Sequence, residues 1–141
     1  MMQPDTAPAL SLEWSTLQDN HERYERGLLW LKLVSVVLSA IAFVSGNAAA
    51  WMTFLVAVLW GQEAIFRTFQ ARLAARLLRL EALMREGAGS PAACQLHSEW
   101  EAGRGGTLGL VAEYARSALR PTVAFPHAVL VLALLGMSLL A

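Results

Sequence analysis

The chain has 141 residues, room for a single domain, and 56% of them are hydrophobic. Eleven Lys and Arg balance eleven Asp and Glu, and there is one cysteine, Cys94. That cysteine count excludes an internal disulfide or a thiolate metal cluster within one chain. The apolar content is concentrated in three stretches, which leaves too little for a separate soluble core.

Residues 1–9, with Pro4 and Pro8, read as a disordered start. In residues 10–26 the apolar and aromatic positions Leu10, Trp14, Leu17, His21 and Tyr24 recur in steps of four and three, a helical stripe that continues to Leu28. Asp5, Glu13, Asp19, Glu22 and Glu25 make this arm acidic, unlike the basic start of a secretory signal, so no cleavable signal peptide is expected.

Apolar stretches follow at 27–46, at 48–66 and, near the C-terminus, at 121–141. Each comes close to the ~20 residues needed to cross a bilayer. The pattern predicts three transmembrane helices, the first two joined by a turn at Gly46-Asn47-Ala48. The second helix should run on through 67–86, because Phe66, Phe69, Leu73, Leu80 and Leu83 keep helical spacing as far as the stop at Gly87. Residues 87–106 read as a Gly-, Pro- and Ser-rich loop with a short helical possibility at 95–101. Residues 107–120 read as an amphipathic helix, with Thr107 as its N-cap and a stripe at Leu108, Val111, Ala115 and Leu119. Pro121 then bends the chain into the last span. The expected fold is an all-α integral membrane protein: three transmembrane helices and a long antiparallel helical hairpin whose arms extend into the cytoplasm.

Orientation follows from the basic residues. Arg23 and Arg26 precede the first span, Arg67 through Arg120 lie between the second and third, and Lys32 is close enough to the same face to snorkel to it. The hairpin tip and the C-terminal end carry no Lys or Arg. By the positive-inside rule the N-terminus is expected in the cytoplasm and the C-terminus outside, across a bacterial inner membrane.

Three groups of residues stand out as candidate sites. Lys32, Gln62 and Glu63 are polar within spans, where charge normally faces protein or water rather than lipid. Ser35, Ser39, Ala42 and Gly46 in the first span, and Ala57 and Gly61 in the second, form stripes of small residues that allow close helix packing. If the chain reverses between Asn47 and Ala48, residues equidistant from that turn share a depth: Lys32 with Glu63, Glu22 with Arg72, and Asp19 with Arg76. The last two pairs predict that the acidic arm docks on the basic extension of the second helix, although the helical wheel does not put all these charges on one seam.

His21, His97 and His127 are not at metal-ligand spacing and read as packing or interfacial residues. The cluster Gly103-Arg104-Gly105-Gly106 lacks the preceding strand and the Lys of a phosphate-binding loop and reads as a flexible link. No cofactor is implied, no nucleophile–base set or carboxylate pair points to an enzyme, and the arginine run fits anionic lipid or acidic protein rather than nucleic acid. Over about residues 10–87 the layout of a membrane hairpin with long cytoplasmic arms resembles the two-span effector domains of bacterial defence systems. The resemblance lies in hydropathy pattern alone and implies a pore-forming or ion-conducting oligomer. Read from the residues, the chain is a non-enzymatic scaffold or subunit of a membrane complex: embedded in lipid, self-associating, and docking a cytoplasmic protein partner through its arms.

Overall fold

The computed structural model describes residues 7–46, 49–103 and 105–140. Among these the chain forms five α-helices and no strand: α1 Ala7–Ser45, α2 Ala49–Arg85, α3 Leu96–Gly103, α4 Thr107–Ala118 and α5 Pro121–Leu140, with a 3-10 turn at Ser90–Ala92 before α3. Helix α1 starts at Ala7, so it takes in the last residues of the expected disordered segment. The hairpin tip at Asn47 and Ala48, Arg104 and Ala141 lie outside the described residues.

The helix ends follow from local chemistry. Gly46 and Gly87 adopt φ of +66° and +68°, the left-handed conformation that glycine takes without a Cβ penalty and that closes α1 and α2. After α2 the Ala88 N–H reaches back to the Leu83 carbonyl at 2.9 Å, satisfying one of the last carbonyls of the helix. Helix α4 corrects the expected cap. Gly106 occupies the capping position without a side-chain hydrogen bond, and Thr107 is already helical. Pro121 opens α5, where its missing N–H costs nothing. Phe125 leaves the helical region (φ −86°, ψ 130°) because Pro126 crowds the residue before it, so the first turn of α5 is set off from the rest.

Helix α2 is the axis of the molecule. Helix α1 packs against it along most of its length, α5 against its first half and α4 against its second half. Trp14 donates to Glu81, Gln70 donates to Glu25, and Lys32 pairs with Glu63; each pair lies equally far from the 47–48 turn, so α1 and α2 run antiparallel in register. Two apolar clusters fill the ends of this bundle. Near the turn, Ala42, Val56 and Leu134 bury together with Met52, Leu130, Val131 and Met137 around them. At the far end Leu10, Leu17, Leu77 and Leu80 bury beneath Trp14, Leu73, Leu83 and Leu96. The segment expected to be a loop at 87–106 contributes to this second cluster through Ala92, Ala93 and Leu96.

Among the described residues two helices, not three, are long and apolar enough to cross a membrane: α1 within Ala9–Ser45, and α5. Helix α2 fails because Gln62 and Glu63 interrupt its apolar half and Arg67 follows one turn later. In the most apolar stretches of α1 and α5 only 22% and 17% of residues are buried by the rest of the chain. A core helix of a soluble bundle would be mostly covered; here Trp30, Val37, Trp51, Phe54 and Leu132 are all exposed.

Candidate functional site

Between the two apolar clusters lies a polar belt centred on Glu63, which is completely buried. The antiparallel packing of α1 on α2 brings Lys32 to it, with Nζ 3.3 Å from Oε1. Helix α5 brings His127, also completely buried, with Nε2 2.8 Å from Oε2; the carboxylate accepts this hydrogen bond, so Nε2 carries the proton. Arg67, one turn along α2, places Nε 3.9 Å from Oε1. One carboxylate thus joins three helices and faces two fixed cations and an imidazole. Lys32 also donates to the Thr122 carbonyl at 2.6 Å, which ties the first turn of α5 to α1.

The belt reaches the surface on one side. Arg67 and Gln70 both donate to the carboxylate of Glu25, at 2.9 and 2.8 Å, and Arg67 donates to the Gln70 carbonyl oxygen at 2.7 Å. Partial burial works against the charged form of Glu25. The hydrogen bonds from Gln70 and Arg67, with the charge of Arg67, outweigh it and hold the carboxyl below its ordinary 4.5. On the opposite side α4 is tied on by polar contacts. The hydroxyls of Thr68 and Ser117 are 2.8 Å apart and buried, and the Trp60 indole donates to the Ala118 carbonyl at 3.1 Å. Within the belt Glu63 Oε1, Arg67 Nε and His127 Nδ1 are buried without a hydrogen-bond partner among the described residues.

A second charged node holds the arms. Arg76, 2% exposed, makes a two-pronged contact to Glu13 (Nε–Oε1 3.0 Å, a second nitrogen to Oε2 3.2 Å), and also binds Glu99 at 2.7 Å and the Ala92 carbonyl at 2.8 Å. Burial opposes its charge, but Glu13 and Glu99 more than offset this and raise the guanidinium above its usual value. Glu13 in turn accepts from the Cys94 backbone N–H at 2.7 Å. Arg72 lies between the rings of Phe69 and Trp100, 5.1 and 4.7 Å from their centroids, and pairs with Glu113 at 3.2 Å. It lines an open cleft of about 390 Å³ with Trp100, Gly105, Gly109 and Arg116.

These contacts redistribute the residues singled out by sequence. Lys32 and Glu63 meet; Gln62, next to Glu63 in sequence, is half-buried and outside that cluster. The arm pairs Asp19–Arg76 and Glu22–Arg72 do not form. Arg76 turns to Glu13 and Glu99, Arg72 to Glu113, while Glu22 accepts from Gln18 on its own helix. The physical reason is azimuth: the depths match, but Asp19 and Glu22 point to solvent.

The small stripes also part company. Ser35, Ser39 and Ala42 are buried, whereas Ala57 and Gly61 face outward and Gly46 serves as the exposed cap. Helix α2 turns Val56, Glu63 and Ala64 inward instead. Arg67, His127, Glu25 and Gln70 belong to the belt without having been singled out. A histidine just inside an apolar stretch was the available signal for His127. For Gln70, equal distance from the turn to Glu25 was the signal.

Among the described residues no three His, Cys, Asp or Glu side chains converge as metal ligands would. No family model matches this sequence, and neither the curated proteins nor the solved structures yield a match.

Proposed function

We propose that the protein is a small integral membrane scaffold, a non-enzymatic subunit that self-associates in a bacterial inner membrane and presents its helical arms to a protein partner in the cytoplasm. One observation carries this reading. The charges of the apolar half are paired inside the chain around Glu63, while the apolar side chains of α1, α2 and α5 point outward. That distribution is inverted relative to a soluble bundle and suits a surface solvated by lipid. If α1 and α5 cross the bilayer, the first half of α2 crosses with them, because it is packed against both, and its charged residue Glu63 is buried away from lipid. Trp30 and Trp51, both uncovered, lie near opposite ends of this region, about 20 Å apart along the helix axis at ~1.5 Å per residue, as interfacial aromatic anchors do. The arginine-rich half then faces the cytoplasm, with both the arms and α4 available to a partner there.

The second reading, an ion-conducting oligomer, draws on the chain of ionisable groups from exposed Glu25 through Arg67 and Glu63 to His127. Against it stands the Ala42–Val56–Leu134 cluster, which closes the route inside one copy beyond His127. Purified protein in nanodiscs and in liposomes separates the two. The scaffold reading expects a defined oligomer by native mass spectrometry and no ion flux. Flux that changes selectivity in Lys32→Leu or Glu63→Gln protein would overturn it, as would a monomer in nanodiscs. Orientation is tested with a cytoplasm-dependent reporter, expected to work near Ser90 and to fail at the C-terminus.

A further inference from the structure

Arginines that share a height in this molecule differ in what answers their charge. In α1 and α2, positions equally far from the 47–48 turn are level, which puts Trp30 beside residue 65. The contacts Glu113–Arg72, Ser117–Thr68 and Thr122–Lys32 set heights in α4 and at the start of α5 in the same way. The layer that begins at Trp30 and extends about 12 Å toward the arms, at ~1.5 Å per residue, takes in residues 22–30, 65–73 and 112–120. It contains six arginines and three carboxylates. Arg67 and Arg72 are paired with Glu25 and Glu113, and the third carboxylate, Glu22, accepts from Gln18. Arg23, Arg26, Arg116 and Arg120 are exposed, and among the described residues none of the four has an ion-pair partner. On the other side of the polar belt, residues 33–46, 49–62 and 123–140 contain no Lys, Arg, Asp or Glu.

We infer that these four arginines form a collar that binds the headgroups of anionic phospholipids in the cytoplasmic leaflet. The inference rests on the membrane reading above, and it names the lipid charge the protein selects and the residues that select it. Height is the first argument. Trp30, 67% exposed, marks the interface in that reading, and the collar lies within about 10 Å of it along the helix axis. An anionic surface attracts basic side chains over about one Debye length, ~8 Å at physiological ionic strength. Arg79 and Arg85 stand roughly 20 and 30 Å beyond Trp30, out of that range. Distribution is the second argument. Helices α1 and α4 each pack on α2 and make little contact with each other, so the collar occupies separate flanks of the molecule. A leaflet surrounds a protein at one height, whereas an acidic protein docks on one flank. The local shape beside Arg23 agrees. An open groove of about 210 Å³ runs from Asn20 and Arg23 down past Gly27 to Phe66, whose ring meets Tyr24 edge-on at 5.9 Å. Charge at the cytoplasmic end and an apolar floor toward the membrane is the order of groups in a phospholipid.

The test uses the full-length protein in mild detergent, with dioleoyl phosphatidylglycerol or dioleoyl phosphatidylcholine added and the retained lipid measured by native mass spectrometry. The unaltered protein should prefer the phosphatidylglycerol. Arg23→Gln with Arg26→Gln, and Arg116→Gln with Arg120→Gln, should each weaken that preference, by about fivefold for each arginine removed. All four together should abolish it. The same four positions changed to Lys should keep most of it, which also shows that they tolerate substitution. Arg79→Gln with Arg85→Gln removes equal charge farther from the membrane and should change nothing. A loss there as large as at the collar would mean that net charge alone sets the preference. An unaltered preference in the four-glutamine protein would leave these arginines to an acidic protein partner. Either result overturns the inference. Flotation on pure phosphatidylcholine liposomes, surviving an alkaline carbonate wash, checks the membrane reading separately. Protein that floats there without preferring phosphatidylglycerol would keep that reading and remove the collar; protein that floats on liposomes of neither lipid would remove both.

Discussion

Glu63 and Arg76 are each the hub of a buried charged contact, and they solve the problem differently. Arg76 is fully matched: a two-pronged contact to Glu13, a short bond to Glu99 and a backbone carbonyl leave its donors well used. Its partners also have somewhere to go, since Glu99 is 45% exposed. Glu63 has one good hydrogen bond, to the equally buried His127, and two looser charge contacts, at 3.3 and 3.9 Å, to the partly exposed Lys32 and Arg67. The arms are thus held by geometry, whereas the three-helix junction is held by charge balance. A charge-balanced site is less forgiving of losing its centre, because the buried His127 then loses its partner and Lys32 and Arg67 lose the counter-charge they share.

The largest expected effect is therefore at Glu63. Glu63→Leu leaves the fully buried His127 without its partner and takes the shared counter-charge from Lys32 and Arg67, and breaking a buried pair from one side costs about 3–5 kcal/mol. Thermal unfolding in mild detergent should show Glu63→Leu far less stable than Lys32→Leu, since Arg67 and His127 still serve the carboxylate when Lys32 is gone. Adding Lys32→Leu to Glu63→Leu should recover part of the loss. Equal damage from the two single changes would mean that Glu63 is not the hub, and the contrast with Arg76 would collapse.

Arg76→Leu comes next. Hydrogen bonds to charged groups are worth about 1.5–3 kcal/mol, but rehydration of Glu99 returns part of that. The sharper readout is local: loss of the Arg76–Ala92 and Arg76–Glu99 contacts should expose residues 88–103 to limited proteolysis while the three-helix junction keeps its melting behaviour. Simultaneous loss of both regions would show that they unfold as one unit.

A smaller effect is expected where α4 meets α2. Thr68→Val strands the buried Ser117 hydroxyl at a cost of about 1–3 kcal/mol, and adding Ser117→Ala should restore most of it. A double variant as unstable as Thr68→Val alone would mean that packing rather than the hydrogen bond sets the contact.

The smallest effect is pH-dependent. Glu25 has its carboxyl lowered in the folded state, so the stabilisation it supplies is complete above the ordinary 4.5 and fades as pH falls through the folded-state value. An exposed pair of this kind is worth only ~0.2–1 kcal/mol. Glu25→Gln should remove that part of the acid sensitivity and little else; an unchanged acid limb of the stability profile would assign it to other carboxylates.

Much of the helical layout was legible because it depends on neighbours in sequence. Gly87 stops α2 through its own φ, Pro121 starts α5 through its missing N–H, and equal distance from a tight turn places Lys32 level with Glu63. The site was legible in depth and not in direction. Asp19 and Arg76 share a level, yet Arg76 reaches Glu13 instead, because rotation about each helix axis is set by which side chains the rest of the bundle buries.

Thr122 lies 90 positions after Lys32 and His127 lies 64 after Glu63, which explains what a single pass along the chain misses. By itself the sequence determined an all-helical chain with two long helices reversing at a short turn, apolar stretches near one end and arginines near the other, since hydropathy and turn chemistry act locally. Only the tertiary structure decided that His127 and Arg67 join Glu63, that Ala57 and Gly61 of α2 point outward, and that α4 shows its apolar stripe to the outside. Those outcomes depend on how three helices rotate against one another, and that rotation is a property of the packed bundle rather than of any one segment.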